Sequence, residues 1–250
     1  MSEHWEFYQC AMGDKRAFIF YDEGVAETIG AAPQKKALKI RLAIKQPTDE
    51  GMPPQAEFDA LCNLEDALTD AVQRLDGIYV GRITVDGFRY FHCFCDAPER
   101  AIADMTSSLA EDTGYDLRAL MEDDAAKSAY WDDLYPTEDD RQVMQNMKVL
   151  AALAENGDVH DIERPIDHWA YFPSRLAAET MRQWLESDRY QITQCGENAE
   201  SDWPYVVKFR HVAPIGLVDL SNRTIAFARR ANGLDGYYDG WETSVETGEA

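Results

Sequence analysis

No apolar run in this 250-residue sequence is long enough to span a bilayer, and its opening residues, Met1-Ser-Glu-His-Trp, lack the apolar core of a secretory signal. The expectation is a cytoplasmic protein with no membrane partner. Cysteine is scarce: Cys10, Cys62, Cys93, Cys95 and Cys195 are five in number and irregularly spaced. An odd count of that kind fits reduced thiols better than a disulfide framework. There is no P-loop, no Gly-x-Gly-x-x-Gly and no Gly-x-Ser-x-Gly elbow, so a glycine cradle for phosphate and a serine nucleophile are not indicated. Basic residues are few, with 24 Lys and Arg against 46 Asp and Glu, a net charge of −22. The imbalance is global, −13 over residues 1–137 and −9 over residues 138–250. Such a surface repels phosphate backbones, so direct nucleic-acid binding is not expected. It suits a basic protein partner, or solubility alone.

What is present is enough apolar material, 45% of residues, for real cores. The length suits one large or two ordinary domains. In the first half, His4–Tyr8 and Arg16–Tyr21 read as two strands about a Gly13-Asp14 turn. Leu38, Ile40, Leu42 and Ile44 alternate with polar or small residues, which makes a half-buried strand. Phe58, Leu61, Leu64, Leu68, Val72 and Leu75 recur at helical spacing, with Gly77 as C-cap. Asp86-Gly87 joins two strands, 78–85 and 88–95, as a two-residue hairpin. A helix from Pro98 closes at Gly114, and Tyr115–Leu120 is a last strand. Acidic clusters and the aromatics Tyr130, Trp131 and Tyr135 mark 122–140 as a boundary, with the aromatics pinning it to a domain.

Thr137 and Asp140 form a capping-box pattern, and the helix behind them runs to Gly157. A strand ending at Phe172 follows, then a helix capped by Ser174, strands at 190–195 and 203–212, a helix to Asn232, and a strand from Tyr237 to Val245. The element order β-α-β-β-α-β thus occurs twice, from Lys36 and from His160, without sequence identity between the halves. The fold class expected is α+β: two ferredoxin-like domains with antiparallel sheets, residues 1–135 and 136–250, the first with an extra N-terminal β-hairpin.

In that topology the first strand of a unit lies beside its last, so Arg164-Pro-Ile-Asp-His-Trp-Ala-Tyr-Phe-Pro173 is expected to pair with Tyr237-Tyr-Asp-Gly-Trp-Glu-Thr-Ser-Val245. Alternation puts Asp167, Trp169 and Tyr171 on one face of the first strand and His168, Ala170 and Phe172 on the other. Asp239 and Trp241 are read as sharing a face opposite Gly240 and Glu242. An aromatic-plus-acid patch of Asp167, Trp169, Tyr171, Asp239 and Trp241 would suit a basic protein segment through ring stacking and charge-assisted hydrogen bonds. The same residues could instead lock the two strands, or the two domains, together. A polar set of His168, His211 and Glu242, with Asp239 nearby, is the alternative that would carry chemistry. It has no recognised metal-ligand spacing, and hydrogen-bonded structural histidines explain it as well. Cys93 and Cys95 share a strand face as small apolar residues, and Ser174 reads as a helix cap. Gly240 marks a bulge or a close backbone approach.

Residues 140–246 resemble the RraB family, regulator of ribonuclease E activity B. The resemblance is carried by the helix before Gly157-Asp158, by Arg164-x-Ile-Asp-His-Trp-Ala-Tyr-Phe, and by Tyr238-Asp-Gly-Trp-Glu-Thr243 after a helix. Residues 3–135 resemble a separate family, domain of unknown function 695, through Trp5-x-Phe-Tyr, Phe18-Ile-Phe-Tyr-Asp22 and Gly77-x-Tyr-Val-Gly81. The first resemblance implies a ferredoxin-like, non-catalytic protein that binds a ribonuclease or its scaffold and damps its activity. The founding regulator is a single acidic domain, whereas this chain carries a second domain in front.

Three functions follow as expectations. One is an acidic cytoplasmic regulator, with no catalytic residue, cofactor or metal, that binds another protein. Another is a hydrolase or metal-dependent enzyme using His168, His211, Asp239 and Glu242. The third is a homodimeric module joined through exposed sheet edges or faces.

Overall fold

Two-residue alternation and helical spacing divide the chain into ten strands and six α-helices in a computed structural model that describes residues 4–198 and 203–248. The chain separates into two compact units, Met1–Pro136 and Thr137–Ala250. Both are α+β, each with one antiparallel sheet. Among the described residues no helix is long and apolar enough to cross a membrane.

The first unit holds β1 (Trp5–Met12), β2 (Lys15–Asp22), β3 (Lys36–Ala43), α1 (Phe58–Arg74), β4 (Ile78–Val85), β5 (Phe88–Phe94), α2 (Glu99–Thr113), β6 (Leu117–Asp123) and the short α3 (Ser128–Trp131). The sheet order is β1-β2-β4-β5-β3-β6. Its last four strands are one βαββαβ unit in which the first strand, β3, lies between the third and the fourth. The β1–β2 hairpin extends the sheet past β4. Asp86 and Gly87, at φ +50 and +81, supply the two left-handed residues that a tight turn between β4 and β5 requires. Gly114, at φ +68, closes α2. At the end of α1 the left-handed residue is Asp76, at φ +57, and the Gly77 amide donates back to Val72. The left-handed position is thus one residue earlier than the glycine suggests.

Leu61, Leu64, Leu68 and Val72 of α1 are buried with Leu38, Ile40, Leu42, Phe91 and Cys93 of the sheet and Ile102 and Leu109 of α2. Cys95 joins that core, and all five cysteines are free thiols. The other face of the sheet is covered by residues 127–135, the stretch expected to be a boundary. The Tyr8 hydroxyl donates to the Leu134 carbonyl (3.0 Å), the Tyr130 hydroxyl to the Asp22 carbonyl (2.8 Å), and Lys39 Nζ to Asp133 (2.7 Å). Lys127, itself left-handed at φ +64, is buried with its ammonium bonded to the Gln34 carbonyl and set 4.7 Å from the Phe94 ring centre.

The second unit holds α4 (Glu138–Glu155), β7 (Arg164–Phe172), α5 (Arg175–Ser187), β8 (Gln191–Glu197), β9 (Tyr205–Ala213), α6 (Leu217–Asn232) and β10 (Tyr237–Thr243), with sheet order β10-β7-β9-β8. Here too the first strand of the βαββαβ unit, β7, lies between the third and the fourth. Thr137 and Asp140 make the reciprocal capping box at the start of α4, and the Ser174 hydroxyl accepts from the Ala177 amide (3.2 Å) at the start of α5. Phe172, Ala170, Val207 and Phe209 of the sheet bury against Ala178, Met181 and Leu185 of α5 and Phe227 and Ala231 of α6. Leu150 of α4 and Leu220 of α6 bury with Ile166, Ile215 and Trp241.

The entry to β7 is fixed by a buried ion pair. Arg164 and Asp158 are bonded to each other, with side chains 1% and 0% exposed. Arg164 also donates to the carbonyls of Val159, Ile162 and Ser244, and the Glu246 amide donates to Asp158. Burial alone would raise the Asp158 carboxyl. The Glu246 amide, the Arg164 hydrogen bond and the Arg164 charge outweigh it and hold the carboxyl below its ordinary range. Replacing Arg164 by Ala strands a buried carboxylate, and it is expected to cost about 3–5 kcal/mol in urea unfolding. A joint Arg164→Met and Asp158→Leu change should recover much of that loss. A loss below about 1 kcal/mol for Arg164→Ala would show that the pair is dispensable.

Candidate functional site

Burial along β7 alternates strictly. Arg164, Ile166, His168, Ala170 and Phe172 face the helices, while Asp167, Trp169 and Tyr171 lie half-buried on the other side. The neighbours of these three across β9 are Arg210, Lys208 and Val206, and across β10 Glu242, Gly240 and Tyr237. The helices of this unit pack on the opposite face, and Val206 on this one is buried. Tyr171 and Tyr237 stack at 5.2 Å, and Trp203 meets Tyr237 edge-on at 5.0 Å. Asp167 receives two hydrogen bonds from Arg210, both 2.7 Å, a bidentate pair. Val212, 62% exposed, continues the same face of β9. The patch is therefore mixed in charge, not purely acidic. Arg210, Lys208, Tyr237 and Val212 belong to it although reading residue types for acid and aromatic character passes over them. The signal for Lys208, Arg210 and Val212 was the alternation of Tyr205–Ala213, and for Tyr237 its place opposite Tyr171 at the start of β10.

Two expected members are elsewhere. The ladder between β10 and β7 shifts between Tyr238 and Gly240, so Tyr238 pairs with Ala170, Gly240 with Trp169 and Trp241 with His168. Asp239 is the extra residue of a β-bulge, and beyond it the alternation is inverted. Trp241 consequently points to the helix side, 9% exposed, and not to the face of Trp169. Its indole N–H donates to Asn146 Oδ1 at 2.9 Å. Asn146 is fully buried, and its amide donates to Ser221 Oγ (3.1 Å) and Thr224 Oγ1 (2.8 Å). Trp241 thus anchors α4 and α6 to the sheet. Asp239 is exposed and lines a groove of about 300 Å³ with Gln142, Gln145, Lys148 and Val149 of α4.

The polar set His168, His211, Asp239 and Glu242 is divided as well. Glu242 pairs with Asp167 and is exposed on the helix-free side. His168 is wholly buried on the other side, with Nδ1 2.7 Å from the Tyr238 hydroxyl and Nε2 3.1 Å from His211 Nδ1. It stacks on Phe209 at 4.9 Å and meets Phe227 edge-on at 5.0 Å. Tyr190, held by Arg223 at 2.8 Å, closes over His211. The two imidazoles are packing and hydrogen-bonding groups inside the unit, and the enzymatic reading built on the four residues loses its constellation. Among the described residues the histidine and carboxylate donors that do converge, within 4.8 Å of one another, are His4, Glu6 and Glu23 of the first unit, none of them an expected site residue.

Burial and then the Arg223 charge push His211 down to about 4. Burial, then His211 and Arg223, hold His168 well below the ordinary imidazole range. Both folded values lie below the unfolded one near 6.5, so the unfolded chain binds more protons in the interval between them. Stability from this pair is complete above about pH 6.5 and is lost as pH falls toward 4. Imidazole ¹⁵N shifts at pH 5.5 should show both rings neutral, and a His211 midpoint near 6.5 would contradict the enclosure.

Residues 3–135 match the model of a family of unknown function, DUF695. The chain belongs to that family. Residues 144–243 match the model of a second family, Regulator of ribonuclease activity B, RraB. The DUF695 match thus falls within the first unit, and the RraB match runs from within α4 to the end of β10. No curated protein matches the chain. Solved structures that it is similar to include a protein described as a putative glycine cleavage system transcriptional repressor, at 8% identity and TM-score 0.27, covering 86% of this chain and 99% of that one. Another is an unknown protein from Galdieria sulphuraria, at 8% identity and TM-score 0.23, covering 85% and 99%. Neither likeness bears on function.

Within the RraB match, Gly240 takes φ +133, a conformation that a Cβ disfavours, although open space surrounds it. Gly240→Val is expected to cost about 1–3 kcal/mol through the backbone alone. Glu242→Gln, on the exposed face, should stay within about 0.5 kcal/mol. Melting curves of the two variants decide this, and equal midpoints would mean the bulge tolerates a side chain.

Proposed function

We propose that this protein is a non-catalytic regulator whose second unit receives a protein partner on the helix-free face of its sheet. Each βαββαβ unit reads as ferredoxin-like, because its first strand lies between its third and fourth. The observation that carries the function is the row of half-exposed rings, Trp169, Tyr171 and Tyr237, beside an Asp167–Arg210 pair whose hydrogen bonds are already made. Aromatic rings held rigid by stacking lose little freedom on binding, and a satisfied ion pair leaves no stranded charge when covered. The RraB match supports a ribonuclease, of the RNase E type, or its scaffold as that partner. The net charge of −22 supports a basic segment as the docking element. Asp239 and Trp241 are outside the proposed surface. Asp167, Trp169, Tyr171, Tyr237, Lys208 and Arg210 compose it.

The test is cleavage of a model RNA by an RNase E-type endonuclease, titrated with the full chain. The wild type should slow cleavage. A Trp169→Ala/Tyr171→Ala variant with an unchanged melting temperature should need about 30-fold more protein, since removing central aromatic anchors costs about 2 kcal/mol or more. Equal inhibition by that variant, or none by the wild type, would overturn the reading.

A further inference from the structure

Two helices cover four strands of the first sheet, but the sheet has six. The β1–β2 hairpin runs out beyond α1, and on the helix side it leaves a trough of about 330 Å³ lined by Trp5, Phe20, Tyr79, Glu65, Asp66 and Asp70. The rings form its floor. Trp5 stacks on Phe20 at 4.9 Å and 15°, and on Tyr79 at 5.6 Å and 28°. Phe7 shares the face of Trp5 by strand alternation and is 52% exposed, so the apolar floor continues toward solvent. The wall is one stripe of α1, where Asp66 and Asp70 stand four residues apart and so on the same side of the helix.

The chain itself shows what this surface holds. The Arg82 guanidinium lies 4.4 Å from the centre of the Phe20 ring and bonds to Glu65. Glu65 is fully used, since it also accepts from the Tyr79 hydroxyl (2.8 Å) and sits 3.6 Å from Arg89. Asp66 and Asp70 are exposed and take part in no ion pair among the described residues. The trough therefore offers ring faces and two uncommitted carboxylates, with a cation already seated at one end. A negative ligand is repelled there. An apolar one would desolvate carboxylates without replacing their hydrogen bonds. A planar cation meets both demands, stacking on rings and bonding to carboxylates at its edge, as the compact ammonium of lysine does less well.

We propose that the trough between α1 and the β1–β2 hairpin binds the guanidinium group of an arginine in a basic peptide segment. This site lies in the first unit and is independent of the helix-free face of the second.

The test uses the full chain and two synthetic peptides, Ac-Gly-Arg-Gly-amide and the same peptide with citrulline, which keeps the shape and removes the charge. Binding is followed by the Trp5 indole N–H signal. The arginine peptide should shift it in a saturable way, and citrulline should bind at least about tenfold more weakly, the loss of a charge-assisted contact worth about 1.4 kcal/mol. An Asp66→Asn/Asp70→Asn variant with the wild-type melting temperature should lose affinity by a similar factor. Trp169→Ala should leave the saturable Trp5 shift unchanged. Equal affinity for the two peptides, undiminished binding by the Asn variant, or no Trp5 shift at all would each overturn the proposal. Loss of binding in Trp169→Ala would overturn its placement in the first unit.

Discussion

The pairing of β10 with β7 depends on one extra residue. Had the ladder run without a bulge, strict alternation would have put Trp241 opposite Asp167, on the face of Trp169, and left Asn146 without its indole donor. A single insertion at Asp239 reverses the faces of everything after it, so Trp241 goes in and Glu242 comes out. Glycine at 240 makes that reversal cheap, because the backbone there takes φ +133. The consequence reaches α4. Its buried Asn146 donates to Ser221 and Thr224 of α6, and it gains the Trp241 indole as a donor only because β10 presents that ring on the helix side. The Tyr-Asp-Gly-Trp sequence is thus a packing device: tyrosine bonded to His168, aspartate in the bulge, glycine carrying the turn of the backbone, and tryptophan as anchor.

The same reversal keeps the helix-free face clear of a second indole and leaves tyrosines, lysine and a paired arginine and aspartate on it. Polar groups on a surface that is to be covered cost free energy unless their hydrogen bonds survive. Asp167 and Arg210 already satisfy one another. On the helix side Asp158 is enclosed with Arg164, and His168 between Tyr238 and His211, while His211 Nε2 and Arg230 Nε are buried without a hydrogen bond.

How far all this was legible follows from which period governs each residue. Alternation over Arg164–Phe172 assigns faces correctly because no bulge interrupts it, and helical spacing finds α1, α2 and the capped α4 for the same reason. The order of elements leads directly to two sheets, since a short hairpin turn such as Asp86-Gly87 leaves no other pairing. Beyond Tyr238 the period-two reading fails, because a glycine signals a bulge without saying which neighbour is extra. Arg210 was invisible as a partner of Asp167 because a bidentate pair is a property of register across strands, not of either segment. The acidic residues of 122–140 read as linker, and Tyr130, Trp131 and Tyr135 as the rings that pin it to a domain. Tyr130 does so through the Asp22 carbonyl, whereas burial of Leu134 and of the Lys127 ammonium rests on tertiary contacts that composition does not signal.

That last segment separates the two units in what they leave open. They share the strand order of a βαββαβ sheet, yet the first covers its far face with its own C-terminal residues and the second does not do so with its helices. An exposed sheet face or edge invites pairing, and each unit meets the problem differently. The first seals the face and extends the sheet sideways, which moves its uncovered aromatic surface to the trough beside α1. The second keeps the face and fills it with stacked tyrosines and an internal ion pair. A chain with 46 acidic residues and 24 basic ones then presents two aromatic surfaces of different construction, one with carboxylates uncommitted and one with an Asp167–Arg210 pair. The first sets free carboxylates beside its rings, and the second sets a made ion pair beside its own. If both proposed surfaces meet one basic partner, effective concentration within a single chain would strengthen two modest contacts without any new one.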